Sequence, residues 1–146
     1  MNPPSDFLPT VQALVHCFQA FEAGSGAHIR TLGLTPSQFD ITATLGNTRG
    51  MTATELGEKT LITKGTLTGV VDRLTDRGWV ERAAHVSDRR CQIIRLTKSG
   101  EALFKQVFPA HMAHLSACFE GTSAAEHKRW QTALRAVEQV FRKEIA

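Results

Sequence analysis

The sequence predicts a mainly α-helical fold that carries one small β-hairpin, and three observations point to this class. Apolar side chains recur every three or four residues along most of the chain, which is the period of a helix that buries one face. Threonines that can cap a helix precede several of these segments. The segment after Gly78 contains two runs of β-forming residues around a polar stretch. With 146 residues, the chain is expected to form one domain or one compact intertwined unit.

The first two helices are indicated by apolar spacing and by a start signal. A single apolar stripe predicts a helix from about residue 6 towards Arg30. The segment 35–38 predicts a fresh start, because Thr35 can cap a helix, Pro36 suits the first helical position and Gln38 can complete a capping box. The second helix is expected to turn Phe39 and Leu45 inward and to end near residues 46–47.

The next two helices are short and closely spaced. Thr52 with Glu55 three residues later predicts a helix that ends at about Lys59. The segment Thr63-Lys64-Gly65-Thr66 opens another, capped by Thr63, which has one apolar stripe and ends at residues 77–78. That stripe comprises Leu67, Val70, Val71 and Leu74. Because only three or four residues separate the two helices, they are interpreted as a helix-turn-helix.

The remaining elements are a hairpin and two longer helices. Strands are predicted at residues 79–82 and 91–96, with a basic tip between them. The segment 97–100 opens a long helix that reaches Phe119, with Pro109 as a position where it could kink, and the last helix starts at about Ala124. A helix-turn-helix followed by a basic hairpin is a winged helix, so residues 35–99 are predicted to form a winged helix-turn-helix DNA-binding domain.

Charge is unevenly distributed and favours a polyanionic partner for the middle of the chain. Residues 47–98 contain ten Lys or Arg and six Asp or Glu, a balance of +4, while the remainder carries −1 of the total of +3. In a winged helix the second helix of the pair enters the major groove and the hairpin reaches the backbone or minor groove. The candidate DNA contacts are Thr63, Lys64, Gly65, Thr66, Thr68, Gly69 and Arg73 on the helix, with Asp88, Arg89 and Arg90 in the hairpin. An ordinary solvent-exposed face is the alternative.

The same segments carry a resemblance to a known family. The triplet Asp88-Arg89-Arg90, followed by Leu96-Thr97-Lys98-Ser99-Gly100, resembles the D-x-R and L-T-x-x-G wing motif of the MarR family of bacterial transcription regulators. Residues 63–67, 71–74 and 77–80 resemble that family's recognition helix and its exit. The resemblance implies a homodimer that binds a pseudo-palindromic operator in double-stranded DNA, usually as a repressor. Residues 1–34 and 100–146 would form the helical dimerisation region.

The aromatic content of the terminal helices agrees with a dimer. They carry more apolar surface than one small winged helix is expected to cover. The residues concerned are Phe7, Phe18, Phe104, Phe108, Phe119, Trp130 and Phe141. A monomer with a helical cap is the alternative interpretation.

The resemblance also implies release from DNA by a small effector, often aromatic or anionic. Candidate lining residues are Phe21, His28, Phe39 and His111, although aromatic residues at helical spacing usually belong to a core.

A redox-sensing thiol at Cys17 is an alternative, weakened because the chain has no tyrosine to support it. A further alternative is a zinc site at His111, His114 and Cys118, but packing is the favoured interpretation there, so no metal or cofactor is predicted.

Other functional classes have less support. The sequence contains none of the motifs G-x-S-x-G, H-E-x-x-H, G-x-G-x-x-G or the P-loop, so an enzyme is not expected. A winged helix that binds a protein partner is a second alternative, but the basic hairpin and the Lys and Thr residues at the helix start favour DNA. Three widely spaced cysteines without a CxxC motif, and no apolar span or secretory signal, predict a cytoplasmic protein with no membrane partner.

Overall fold

The computed structural model describes residues 6–85, 87 and 90–145. It contains α1 (Leu8–Thr31), α2 (Pro36–Leu45), α3 (Ala53–Thr60), α4 (Lys64–Asp76), β1 (Val80–Ala84), β2 (Gln92–Leu96), α5 (Lys98–Cys118) and α6 (Ala124–Ile145). The predicted fold class, mainly α with one hairpin, is confirmed. Pro109 lies inside α5, which continues on both sides of it. In the part of the chain described, no helix has the length and apolar character needed to cross a membrane.

The chain divides into two compact units, residues 1–113 and 114–146, and the first contains two hydrophobic cores. One core joins α2, α3, α4 and the hairpin, and it consists of Ile41, Leu45, Met51, Leu56, Leu67, Val70, Val71, Leu74, Val80 and Ile94. The other joins α1, α2 and α5 through Ile29, Leu34, Phe39 and Val107. Trp79 packs against both cores. Helix α2 therefore belongs to both, with Phe39 in one core and Ile41 and Leu45 in the other.

Two of the three predicted threonine caps form as expected. Thr35 with Gln38 and Thr52 with Glu55 make complete capping boxes, in which each side chain bonds the other residue's backbone N–H. The expectation that Thr63 caps α4 through its side chain is wrong. Its hydroxyl instead donates to the Thr66 hydroxyl at 3.1 Å, because the residue at the third helical position offers a side-chain acceptor of its own.

The hairpin is longer on its first strand than the sequence indicates. β1 and β2 pair antiparallel with Val80 opposite Leu96 and Ala84 opposite Gln92. Met51, just before α3, pairs with Ile94 through N–H···O bonds of 3.0 and 2.8 Å in the two directions. This bridge ties the base of the hairpin to the start of the helix-turn-helix.

A compact junction joins the end of α4 to the start of α5. The Thr97 hydroxyl donates to the Gly78 carbonyl at 2.6 Å and accepts from the Gly100 N–H at 3.0 Å. The Thr97 N–H donates to the Trp79 carbonyl at 3.0 Å. A side chain at Gly100 would overlap that same carbonyl oxygen. Thr97 and Gly100 of the L-T-x-x-G segment therefore have a structural role, because they hold α5 against the turn that follows α4.

The terminal helices expose much of their apolar surface in the single chain. Phe7, Val15 and Phe18 are exposed on or next to α1, and Trp130, Leu134 and Phe141 are exposed on α6. The expectation of surplus apolar surface needs one correction, because Phe104 is buried and stacks on Phe108 within the first unit. The Phe104 ring fills the space beside Gly46, where a side chain would overlap it.

The second unit contains the end of α5, a short turn and α6, and local polar contacts stabilise the turn. Ser123 and Glu126 form a capping box at the start of α6, with Ser123 N–H donating to the Glu126 carboxylate at 2.7 Å. These bonds from Ser123, aided by the neighbouring His127, lower the pKa of Glu126. His127 lies between the rings of Phe119 and Trp130, with centroid distances of 5.3 and 5.5 Å.

We expect Gly100→Ala to lower the free energy of unfolding by about 1–3 kcal/mol or more, because the new methyl group must displace the Trp79 backbone. Equilibrium unfolding in urea measures this change. Gly24→Ala in α1 is the matched control, since a side chain there meets nothing within 4 Å, and it should gain about 0.5–1 kcal/mol. A Gly100→Ala protein as stable as wild type would contradict the assignment of this junction.

Candidate nucleic-acid interface

Helix α4 has one buried face and one exposed face. Its four apolar stripe residues are all buried in the core with α2 and α3. The predicted contact residues Thr63, Lys64, Gly65, Thr66, Thr68 and Arg73 are all exposed, and Gly69 is half-buried. These seven residues therefore lie together at the start and along the outer side of α4.

No contact within the chain requires glycine at positions 65 and 69. A side chain at either position would meet no other atom within 4 Å. Glycine inside a helix costs about 1 kcal/mol relative to alanine. Since packing within the chain does not require these glycines, they leave the exposed side of α4 free for close approach by another molecule.

The connection between α3 and α4 is three residues long and turns on Leu61. This residue has φ +59°, a left-handed conformation that is uncommon outside glycine, and its N–H closes α3 on the Gly57 carbonyl at 2.9 Å. Its side chain is 82% exposed. This turn has no sequence signal at Leu61, because neither Gly nor Asn occupies the position.

The hairpin is fixed beside α4 by an ion pair that was not predicted from the sequence. The Arg82 guanidinium donates to the Asp72 carboxylate at 2.6 Å, which joins β1 to α4. A second pair, Arg95 to Glu81 at 2.8 Å, crosses the two strands. Arg90 is exposed just before β2. Asp88 and Arg89 lie outside the described residues.

A cleft of about 410 Å³ separates α4 from the hairpin. The cationic side chains that line it are Lys64, Arg82 and Arg90, and the start of α3 contributes Thr52 and Thr54. Backbone N–H groups at a helix start, such as those of α3, favour anions, as do these cations. The cleft therefore has the charge and hydrogen-bond donors that suit a phosphate backbone.

Three of the four predicted effector-site residues come together in a second place. His28 on α1 and His111 on α5 have ring centroids 5.1 Å apart and ring planes inclined by 22°, and Phe39 on α2 meets His111 edge-on at 4.7 Å. Ser25, which the sequence analysis did not select, bonds His111 Nε2 through its hydroxyl at 3.1 Å. The spacing of Ser25 three residues before His28, on one helix face, was the signal available for it.

Two other predicted positions, Phe21 and Cys17, are exposed. Phe21 is 56% exposed, whereas His111 is only 2% exposed. Cys17 is exposed on α1, as are Cys91 and Cys118 elsewhere. Among the described residues, no group of three His, Cys, Asp or Glu side chains has the arrangement to hold a metal ion, which includes the set His111, His114 and Cys118.

Comparison with known proteins agrees with this architecture. Residues 34–92 match the sequence model of the MarR family. The HTH-type transcriptional repressor YetL of Bacillus subtilis is 35% identical over 96 residues, which cover 64% of this chain and 58% of YetL. The chain thus spans somewhat more than half the length of that relative.

Solved structures share the fold over nearly the whole chain. BpsR of Bordetella bronchiseptica, whose DNA binding is regulated by 6-hydroxynicotinic acid, has a TM-score of 0.80 at 24% identity, covering 94% of this chain and 98% of BpsR. Sco3205, a MarR family transcriptional regulator of Streptomyces coelicolor solved with DNA, has a TM-score of 0.82 at 22% identity, covering 95% and 89%. The sequence match to the MarR family is thus confined to residues 34–92, and the solved structures show the fold that this chain shares with them.

Proposed function

We propose that this protein is a homodimeric transcriptional regulator, and specifically a repressor, that binds a pseudo-palindromic site in double-stranded DNA. The observation that carries the proposal is the outer side of α4, where small, hydroxyl and cationic groups are exposed beside a cationic cleft. The match of residues 34–92 to the MarR family model and the similarity to the repressor YetL support the same function. They favour a regulator over an enzyme.

Each exposed group has a distinct role in the proposed complex. Thr66, Thr68 and Arg73 read base edges in the major groove, where hydroxyl and guanidinium groups discriminate between base pairs. Lys64 and Arg90 contact phosphates, and the hairpin extends towards the flanking minor groove. Arg82 has a different role, because its ion pair with Asp72 holds the hairpin at a fixed place beside α4.

A dimer accounts for the exposed apolar surface of the terminal helices. Large side chains such as Phe18 on α1 and Phe141 on α6 are about half exposed in the single chain, and isolated soluble proteins rarely leave so many together uncovered. Two-fold pairing through residues 1–34 and 100–146 would cover them and present two copies of α4 to two half-sites one helical turn apart.

A small aromatic or anionic molecule is the proposed effector. The cluster of His28, Phe39 and His111 joins α1, α2 and α5, so a ligand there would contact both the winged helix and the terminal helices. The effector of BpsR, 6-hydroxynicotinic acid, belongs to this chemical class. A protein that regulates a bacterial chromosome in this way acts in the cytoplasm, which is the proposed localisation.

Selection of genomic DNA fragments by the purified protein at about 0.15 M salt tests the function directly. We expect enrichment of a short inverted repeat, bound by a species with the mass of two chains in sedimentation. Binding should weaken steeply as salt rises, because phosphate contacts release counterions. Retained fragments that share no common sequence, or an affinity that does not change with salt concentration, would contradict sequence-specific DNA binding.

Arg90→Ala is expected to weaken binding to all sequences to a similar degree and to reduce the slope of log affinity against log salt by about one. The reason is the loss of one phosphate contact without loss of base contacts. Fluorescence anisotropy over a salt series, with selected and scrambled duplexes, measures both quantities. Arg142→Ala in α6, an exposed arginine paired with Glu138, is the control and should leave the slope unchanged.

Gly65→Ala is expected to stabilise the protein by about 0.5–1 kcal/mol while lowering affinity for the selected DNA. The methyl group improves helix propensity and meets nothing inside the chain, but it stands where the helix must approach DNA closely. Urea unfolding and anisotropy measure the two effects on one sample. Gly24→Ala should show the stabilisation alone. If the Gly65→Ala and Gly24→Ala proteins bind DNA with equal affinity, Gly65 does not lie in the DNA interface.

A further inference from the structure

The contact between His28 and His111 joins two imidazole rings through a single hydrogen bond. Their Nδ1 atoms are 2.9 Å apart, and His111 Nε2 lies 3.1 Å from the Ser25 hydroxyl on its other side. Phe39 covers the His111 ring edge-on, and His111 and Ser25 are both buried. The contact links α1 to α5 over a separation of 83 residues in the sequence. The two histidines are called the histidine pair below.

The geometry limits how many protons the histidine pair can hold. A bond between two Nδ1 atoms needs one to carry a hydrogen and the other to be bare, so two neutral rings satisfy it. One extra proton also fits. The ring that donates through Nδ1 can take it at its own Nε2, while the Nδ1 of the other ring still accepts the hydrogen bond. Full protonation of both rings would place two N–H groups face to face at 2.9 Å and two cations side by side, which breaks the contact.

We propose that the histidine pair is a proton-operated switch, in which uptake of the second proton separates α1 from α5. In the unfolded chain both imidazoles take up protons below about pH 6.5, whereas the intact pair holds at most one extra. The unfolded state therefore binds at least one more proton in acid. Stability then rises with pH through this range and is lost as the pH falls below about 6.5.

Other ionisable groups on the same three helices must be separated from this effect. Arg30 on α1 contributes a guanidinium group, which the variants below do not change. Asp40 follows Phe39 on α2, and burial raises the pKa of its carboxyl. A carboxyl with a raised pKa makes the fold more stable as the pH falls, which is opposite in sign to the proposed switch. His114 on α5 follows His111 by three residues, so it stays unchanged in every variant below.

The first test compares urea unfolding of the full-length protein at pH 7.5, 6.5 and 5.5, at fixed salt and protein concentration. The variants are wild type, the double variant His28→Gln with His111→Gln, and His16→Gln as the control. His16 is an exposed histidine on α1. Between pH 6.5 and 5.5 the folding equilibrium constant should fall about tenfold more for wild type and His16→Gln than for the double variant. The same pH dependence in all three proteins would overturn the proposal.

Nitrogen-15 NMR of the imidazoles in the wild-type protein provides a second test that does not depend on the double variant folding. At pH 7.5 one Nδ1 of the pair should carry a proton and the other should be bare. As the pH falls, full protonation of both rings should appear only together with changes at α1 and α5 amides. If both rings become fully protonated while those amides stay unchanged, the pair is not a switch.

The consequence for DNA rests on the proposed function and has its own measurement. Protonation of exposed histidines normally strengthens DNA binding, because it adds positive charge. We expect the wild type instead to lose about tenfold in affinity for its selected duplex between pH 7.5 and 5.5, and the double variant not to lose it. Affinity that rises alike in both proteins would overturn this link. Failure to bind DNA at pH 7.5 would contradict the proposed function, while unfolding and NMR would still decide the switch.

Discussion

The junction of Thr97 and Gly100 with the turn after α4 is the constraint on which the winged helix depends. The Thr97 hydroxyl accepts from the Gly100 N–H in the first turn of α5 and donates to the Gly78 carbonyl, and the Thr97 N–H donates to the Trp79 carbonyl. The side chain of Trp79, held by these bonds, packs against both hydrophobic cores. The end of α4, the start of the hairpin and the start of α5 therefore have fixed relative positions before any ligand binds.

Helix α4 combines two requirements that conflict in their energetics. Four branched or apolar side chains on one side anchor it in a core, while two glycines on the other side lower its intrinsic helix stability. The cost is tolerable because tertiary packing, more than propensity, stabilises helices in proteins. A helix held in this way from one side can expose its backbone on the other, which close contact with a double helix requires.

The sequence predicted those features that depend on neighbouring residues and missed those that depend on distant ones. The capping boxes at Thr35 and Thr52 and the buried stripe of α4 follow from spacings of three or four residues. The Arg82–Asp72 ion pair and the bond of Ser25 to His111 join residues whose proximity arises only from packing. Phe104 and Phe108 were assigned to surplus apolar surface because no local pattern reveals that the space beside Gly46 must be filled.

Helix α2 connects the candidate effector site to the side of the molecule that is proposed to face DNA. Its Phe39 touches the His111 ring, while Ile41 and Leu45 lie in the core that anchors α4. A displacement of α2 by a ligand or a proton would therefore move the support of α4 directly. Thermodynamics adds a condition: an effector shifts DNA binding only by its difference in affinity for the two arrangements. A buried contact that one proton leaves intact and a second proton breaks meets that condition, because its proton affinity differs between the joined and the separated state.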